Sequence, residues 1–262
     1  NGDEIIVPDL TFASPANAVI HSGAKPVFVD VNKNTFCIDE NLIEKSITKK
    51  TKAIIVVHLY GHPAEMTKIN KICKKHDLIL IEDCAEALGS KYKKKHVGNL
   101  GDASTFSFFA NKTVTTGEGG IVCFKNRDMM KKAKLLRDHG MSIKEKYWHE
   151  DVGFNYRMTN LQAAVGTAQF ERISYIFRDK YLIVKNYKKN LKLEKSLKLP
   201  KAYGPVVNSY WLYTLTLLGR LKSHRDKIIN HFLLHGVETR KVFYPMSKMP
   251  IYRKYLKKIK FI

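Results

Sequence analysis

The first two-thirds of the chain alternates short apolar runs with stretches of helical periodicity. Ile5-Ile-Val7, Pro26-Val-Phe-Val29, Ala53-Ile-Ile-Val-Val57, Leu78-Ile-Leu-Ile81 and Ser104-Thr-Phe-Ser-Phe-Phe109 predict strands. Runs in which every position is apolar suit strands covered on both faces, as in parallel sheets. Between them, residues 15–21, 40–46, 65–75 and 128–138 predict helices, with Asp39 or Asp128 placed to cap the helix it precedes. Gly119 to Phe124 turns back as one more strand. This alternation predicts an α/β fold with a mainly parallel sheet and helices on both faces. Residues 160–176 then read as an alanine-rich helix and residues 178–193 as a more charged one. From about Leu199 the pattern changes: Tyr210 to Leu218 is strand-like and residues 223–235 are helical. The expected division is therefore a large α/β domain over 1–178 and the start of a smaller α+β domain over 179–262.

Two charged residues stand out by their setting. Lys112 lies among small, hydroxyl-bearing and glycine residues in the stretch from Ser107 to Gly120, just after an apolar strand. A lysine held there can lose its proton and attack a carbonyl; the alternative is a surface lysine at a strand end. Asp83 follows the run from Leu78 to Ile81, and so falls at the carboxyl end of a buried strand, where open α/β sheets bind ligands. Its carboxylate can pair with a protonated ring nitrogen, or it can cap the helix that follows. A Schiff-base lysine and a carboxylate for a pyridinium nitrogen are together what pyridoxal 5'-phosphate asks of a protein.

The chain is similar, through many ordered blocks, to the DegT/DnrJ/EryC1/StrS sugar aminotransferases. The blocks are Gly2-Asp-Glu-Ile-Ile-Val-Pro8, Gly23 to Asp30, His58-Leu-Tyr-Gly61, Glu82 to Gly89, Ser107 to Gly120, Arg137-Asp-His-Gly140 and Gly153 to Asn160. The resemblance leans to the perosamine-type 4-aminotransferases. It implies the type I aminotransferase fold, pyridoxal phosphate, and amino transfer from glutamate to a nucleotide-linked 4-keto-6-deoxy sugar. By resemblance, Lys112 is the Schiff-base lysine, Asp83 binds the pyridinium nitrogen, and Glu86 lies near the phenolic oxygen. Phe12 corresponds to the aromatic that stacks on the ring, Ser107 to a phosphate-binding hydroxyl, and Asn155 to an asparagine that reaches the partner's phosphate in a homodimer with shared sites. Taken singly, Phe12 also reads as core, Ser107 as a solvent-facing strand residue, Asn155 as a turn former and Glu86 as a first-turn helix acid.

The sequence also departs from that family. It opens at Asn1-Gly-Asp3, without a preceding Gly-Thr turn for the phosphate, and stops at Ile262 before the small domain is complete, as in a fragment or a shortened version. Ser247 stands where many relatives have the histidine of a Pro-x-His pattern. Three rivals follow: a dehydratase using the same cofactor, which Lys112 opposes; transfer at C3, from which Glu86 and Trp148-His149 lean towards C4; and a non-catalytic dimerisation or binding module.

Composition changes this picture little. With 44% hydrophobic residues, 262 residues suffice for a large core. No apolar run approaches a membrane span and no signal peptide opens the sequence. Cys37, Cys73, Cys84 and Cys123 form no Cys-x-x-Cys pair, which points to a reducing cytoplasm and against zinc. His58 and His62 have i, i+4 spacing, but Gly61 and Pro63 oppose a helical metal pair. Lys and Arg number 46 against 24 Asp and Glu, a formal charge of +22, but the excess is spread along the chain rather than gathered in a nucleic-acid-binding arm. It suits a diphosphate-bearing substrate.

Overall fold

A computed structural model describes residues 2–256. Its frame is a six-stranded sheet. The chain enters as β1 (Glu4–Pro8), α1 (Ser14–His21), β2 (Lys25–Val29), α2 (Glu40–Ser46), β3 (Thr51–Val57), α3 (Met66–His76) and β4 (Ile79–Asp83). A small hairpin, β5 (Lys91–Tyr92) and β6 (Lys95–His96), leads to β7 (Ala103–Ser107) and β8 (Gly120–Phe124). The sheet order is β2-β1-β3-β4-β7-β8. Every neighbouring pair is parallel except β7 with β8.

Adjacent strand residues point to opposite faces, so each apolar run feeds two cores. Ile6, Val27, Val29, Ile54, Val56 and Leu80 pack against Ile43 of α2 and Met66, Ile69 and Cys73 of α3. On the other face, Val7, Phe28 and Ile55 meet Ala16 and Val19 of α1, together with Met246 and Tyr252 from the end of the chain. Asp9 anchors that last segment: its carboxylate accepts from Ser247 N–H and Ser247 Oγ–H, both at 2.7 Å.

The predicted strands and the first helices fall where the periodicity placed them, with three differences of detail. Asp39 caps α2 by accepting the Asn41 N–H at 3.0 Å. However, α4 (Arg127–Arg137) is capped by Asn126 rather than Asp128, whose own N–H donates to the Asn126 side chain at 2.7 Å. The next two helices, α5 (Asn160–Glu171) and α6 (Ile173–Leu191), part at Arg172, earlier than expected, because no glycine or proline marks the break. After β9 (Leu197–Lys198) and β10 (Val206–Val207), the strand expected over 210–218 shrinks to β11 (Thr216–Leu217). Tyr210 takes a left-handed φ of 48° and its N–H bonds to the Asn208 side chain, so the extended run cannot form. A final helix, α7, covers Arg225–Leu234. Residues 257–260 of the basic tail from Lys254 lie outside the described residues.

Candidate active site

Strands β3, β4 and β7 lie side by side and end at the same edge of the sheet. Their carboxyl ends deliver His58, Asp83 and Ser107 to one region. Lys112 follows on the turn between β7 and β8, and Phe12 on the loop after β1. Glu86 sits in the turn beyond β4, where its carboxylate accepts the Tyr60 N–H at 2.9 Å.

Aromatic contacts extend the group. The Tyr60 ring stacks on Phe243 with centroids 5.8 Å apart, and Phe243 meets Phe12 edge-on at 5.9 Å. Phe12 is 60% exposed, so it is not a core residue in this chain. The Lys112 ammonium lies 4.0 Å from the ring centroid of Trp211, whose Nε1–H donates to the Asn111 carbonyl at 2.9 Å. Ser107 Oγ accepts the Phe109 N–H at 3.3 Å. Asn155 lies on an exposed stretch bridged to Asp138.

The electrostatics follow from enclosure. Burial pushes the Lys112 ammonium below its usual pKa, more strongly than Glu86 and Asp83 pull it up. Burial likewise raises Asp83, against the Ala85 N–H, His58 and Lys112. Glu86 is pushed to about 7, chiefly by burial, with Tyr60 N–H and Lys112 opposing and Asp83 adding. A lysine that gives up its proton readily thus faces two carboxyls that release theirs reluctantly, which suits proton exchange near neutral pH.

Behind Asp83 lies a pair that sequence reasoning had not assigned. His58 and Glu82 are both fully buried, with Nε2 and Oε2 3.0 Å apart. The His58 Nδ1 accepts the Ala64 N–H at 3.0 Å, so Nε2 carries the hydrogen that Glu82 accepts. Glu82 also accepts the N–H groups of Gly98, Leu100 and Gly101, at 2.9, 2.7 and 2.6 Å. Cys84 completes a cluster with the spacing of a metal site, but these hydrogen bonds already occupy the histidine nitrogens and both carboxylate oxygens. An acid continuing the apolar run of β4 was the available signal. Trp211 had no comparable one, since it lay inside a stretch that read as a strand.

Pyridoxal phosphate fits these residues. The Asp83 carboxylate takes a single hydrogen bond among the described residues, from Ala85 N–H at 3.0 Å, and has capacity for a pyridinium N–H. An amine of lowered pKa stands within electrostatic reach, and an exposed aromatic face is at hand.

This fold and donor set define a family. The sequence matches the DegT/DnrJ/EryC1/StrS aminotransferase family over residues 1–261, and the chain belongs to it. It is 45% identical over 251 residues to the GDP-perosamine synthase of Escherichia coli O157:H7, covering 96% of this chain and 68% of that protein. It is 44% identical over 252 residues to the GDP-perosamine synthase of Caulobacter vibrioides, with the same coverage. Among solved structures, a provisionally assigned sugar aminotransferase of Streptococcus pneumoniae, Spr1654 in its PLP-form, superposes with a TM-score of 0.90 at 29% identity, covering 97% of this chain and 70% of its own.

Proposed function

We propose that this protein transfers an amino group from glutamate to a nucleotide-linked 4-keto-6-deoxy sugar, as a perosamine-type 4-aminotransferase with pyridoxal phosphate. The observation that carries the reading is Asp83 at the carboxyl end of β4, its carboxylate open to a further donor, within electrostatic reach of Lys112 on the turn after β7. When bound, the cofactor supplies the electron sink and carries the nitrogen between the two substrates. The chain's own residues then do the rest. Lys112 offers a neutral amine to anchor the cofactor and moves the proton between carbons. Asp83 accepts the ring N–H and keeps that nitrogen protonated. Glu86, with a pKa raised to about 7, would lie near the phenolic oxygen and would exchange a proton there. Phe12 would cover the ring face and Ser107 would hold the phosphate.

A homodimer with shared sites, to which Asn155 contributes, belongs to the same proposal. It is supported by apolar side chains left open along one part of the chain, among them Ile143 at 94%, Val152 at 87% and Leu161 at 82% exposure. The 1–178 and 179–262 division, a cytoplasmic location and a place in O-antigen sugar synthesis complete it. Among the described residues no helix is long and apolar enough to cross a membrane.

The test is the visible spectrum of the protein with pyridoxal phosphate, before and after glutamate, beside Lys112→Ala. A Schiff-base band that needs Lys112 and bleaches with release of 2-oxoglutarate is expected, followed by its return with a 4-keto sugar nucleotide. A protein that forms no band would instead be the binding module, and a return seen only with 3-keto sugars would move the reaction to C3.

A further inference from the structure

Trp211 has no part in the roles given above, yet its ring is what the Lys112 ammonium touches. Trp211 is buried, at 8% exposure, and packs with Val57, Leu59 and Tyr60. Its Nε1–H is tied to the carbonyl of Asn111, the residue before Lys112, at 2.9 Å. Its own carbonyl accepts from Lys180 Nζ at 2.8 Å. Ring and lysine backbone are thereby held as one unit, with Nζ 4.0 Å from the ring centroid. A cation over an indole face is attracted by the ring quadrupole. Asp83 and Glu86 act on Lys112 through space, but neither forms an ion pair with it.

That choice of partner has a chemical consequence. A carboxylate in contact would place the amine but also hold its proton strongly. An indole face places the amine while adding a weaker preference for the charged form, so the lysine stays both located and able to deprotonate. We propose that Trp211 is a positioning residue for Lys112: its indole face is the seat the amine occupies whenever it is not joined to the cofactor. The role in turnover rests on the reading of Lys112 as the Schiff-base lysine; the seat itself does not.

The experiment separates the two. In the cofactor-free full chain, lysines are reductively methylated with a carbon-13 label, and the Lys112 signal is identified by its loss in Lys112→Arg. It should lie upfield of the other lysines through the indole ring current, return to the common position in Trp211→Leu, and keep part of its shift in Trp211→Phe. In a second arm, the pH dependence of the rate of bond formation with pyridoxal phosphate is followed. Leucine keeps the wall apolar but removes the quadrupole, so the midpoint should fall by about half to one pH unit in Trp211→Leu. If that variant fails to fold by circular dichroism, Trp211→Phe carries both arms with a smaller shift. A Lys112 signal among the other lysines in the unmodified sequence overturns the seat, as does a midpoint that does not move. An upfield signal with no cofactor bond keeps the seat and sinks the cofactor reading; a bond without the upfield signal does the reverse.

Discussion

Replacing Glu82 with glutamine should unseat the floor of the site, and the hydrogen-bond inventory says by how much. One carboxylate oxygen accepts the Leu100 and Gly101 N–H groups, and the other accepts Gly98 N–H and His58 Nε2–H. An amide retains one acceptor oxygen and turns two hydrogens towards the other pair of donors. Either orientation therefore leaves two buried donors facing a donor. His58 cannot relieve this by moving its hydrogen, because Nδ1 is already used as the acceptor for Ala64 N–H. At about 1–3 kcal/mol for each orphaned group, Glu82→Gln should cost about 2–6 kcal/mol. That is a large share of a typical stability of about 5–15 kcal/mol.

Urea unfolding followed by circular dichroism measures it, as a lower midpoint at unchanged slope. Burial alone would raise the Glu82 pKa, but His58 and the Gly98 and Gly101 N–H groups outweigh it and leave the carboxyl below its usual 4.5. A depressed folded-state pKa contributes stability that is present above 4.5 and is lost as pH falls through the folded value. The gap between the two proteins should therefore be widest at neutral pH and narrow in acid. A loss below about 1 kcal/mol, or a gap that does not change with pH, would refute the reasoning.

Three further outcomes are expected. Glu86 carries a pKa raised to about 7, so its contribution to stability is lost as pH rises through that value; Glu86→Gln should gain on the unmodified protein in unfolding experiments at pH above 7 and not below 4.5. Gly61 has φ +89° and an added Cβ would lie 2.6 Å from the Tyr210 backbone nitrogen, so Gly61→Ala should lose at least about 1–3 kcal/mol and disturb the neighbouring Trp211, read as a change in its fluorescence. On the proposed role of Asp83, Asp83→Asn removes the charge that would hold a ring proton; steady-state assays should show kcat lowered at least about a hundredfold with the Schiff-base band still formed.

Much of the site was legible because its pieces sit at strand ends. Asp83 could be placed from the apolar run before it and Lys112 from the strand that precedes it, since a strand's length fixes where its carboxyl end emerges; Ser107, read inside a strand over 104–109 and assigned by resemblance, instead closes β7. Glu86 was legible only as part of a block shared with relatives; what raises its pKa to about 7 is burial, with Asp83 adding, against the opposing Tyr60 N–H, and local sequence does not display that enclosure.

By itself, the order of apolar runs and helical stretches determined the alternating α/β architecture. Backbone geometry makes period two and period 3.6 local properties of a chain. Tertiary structure alone decided that Trp211 lies against Lys112; the Asn126 cap on α4 and the Asn208 bond that interrupts residues 210–218 are local side-chain choices. Each depends on a choice among partners that sequence spacing leaves open. For Trp211 and Asn111 those partners are a hundred positions apart, and only the packed chain brings them together.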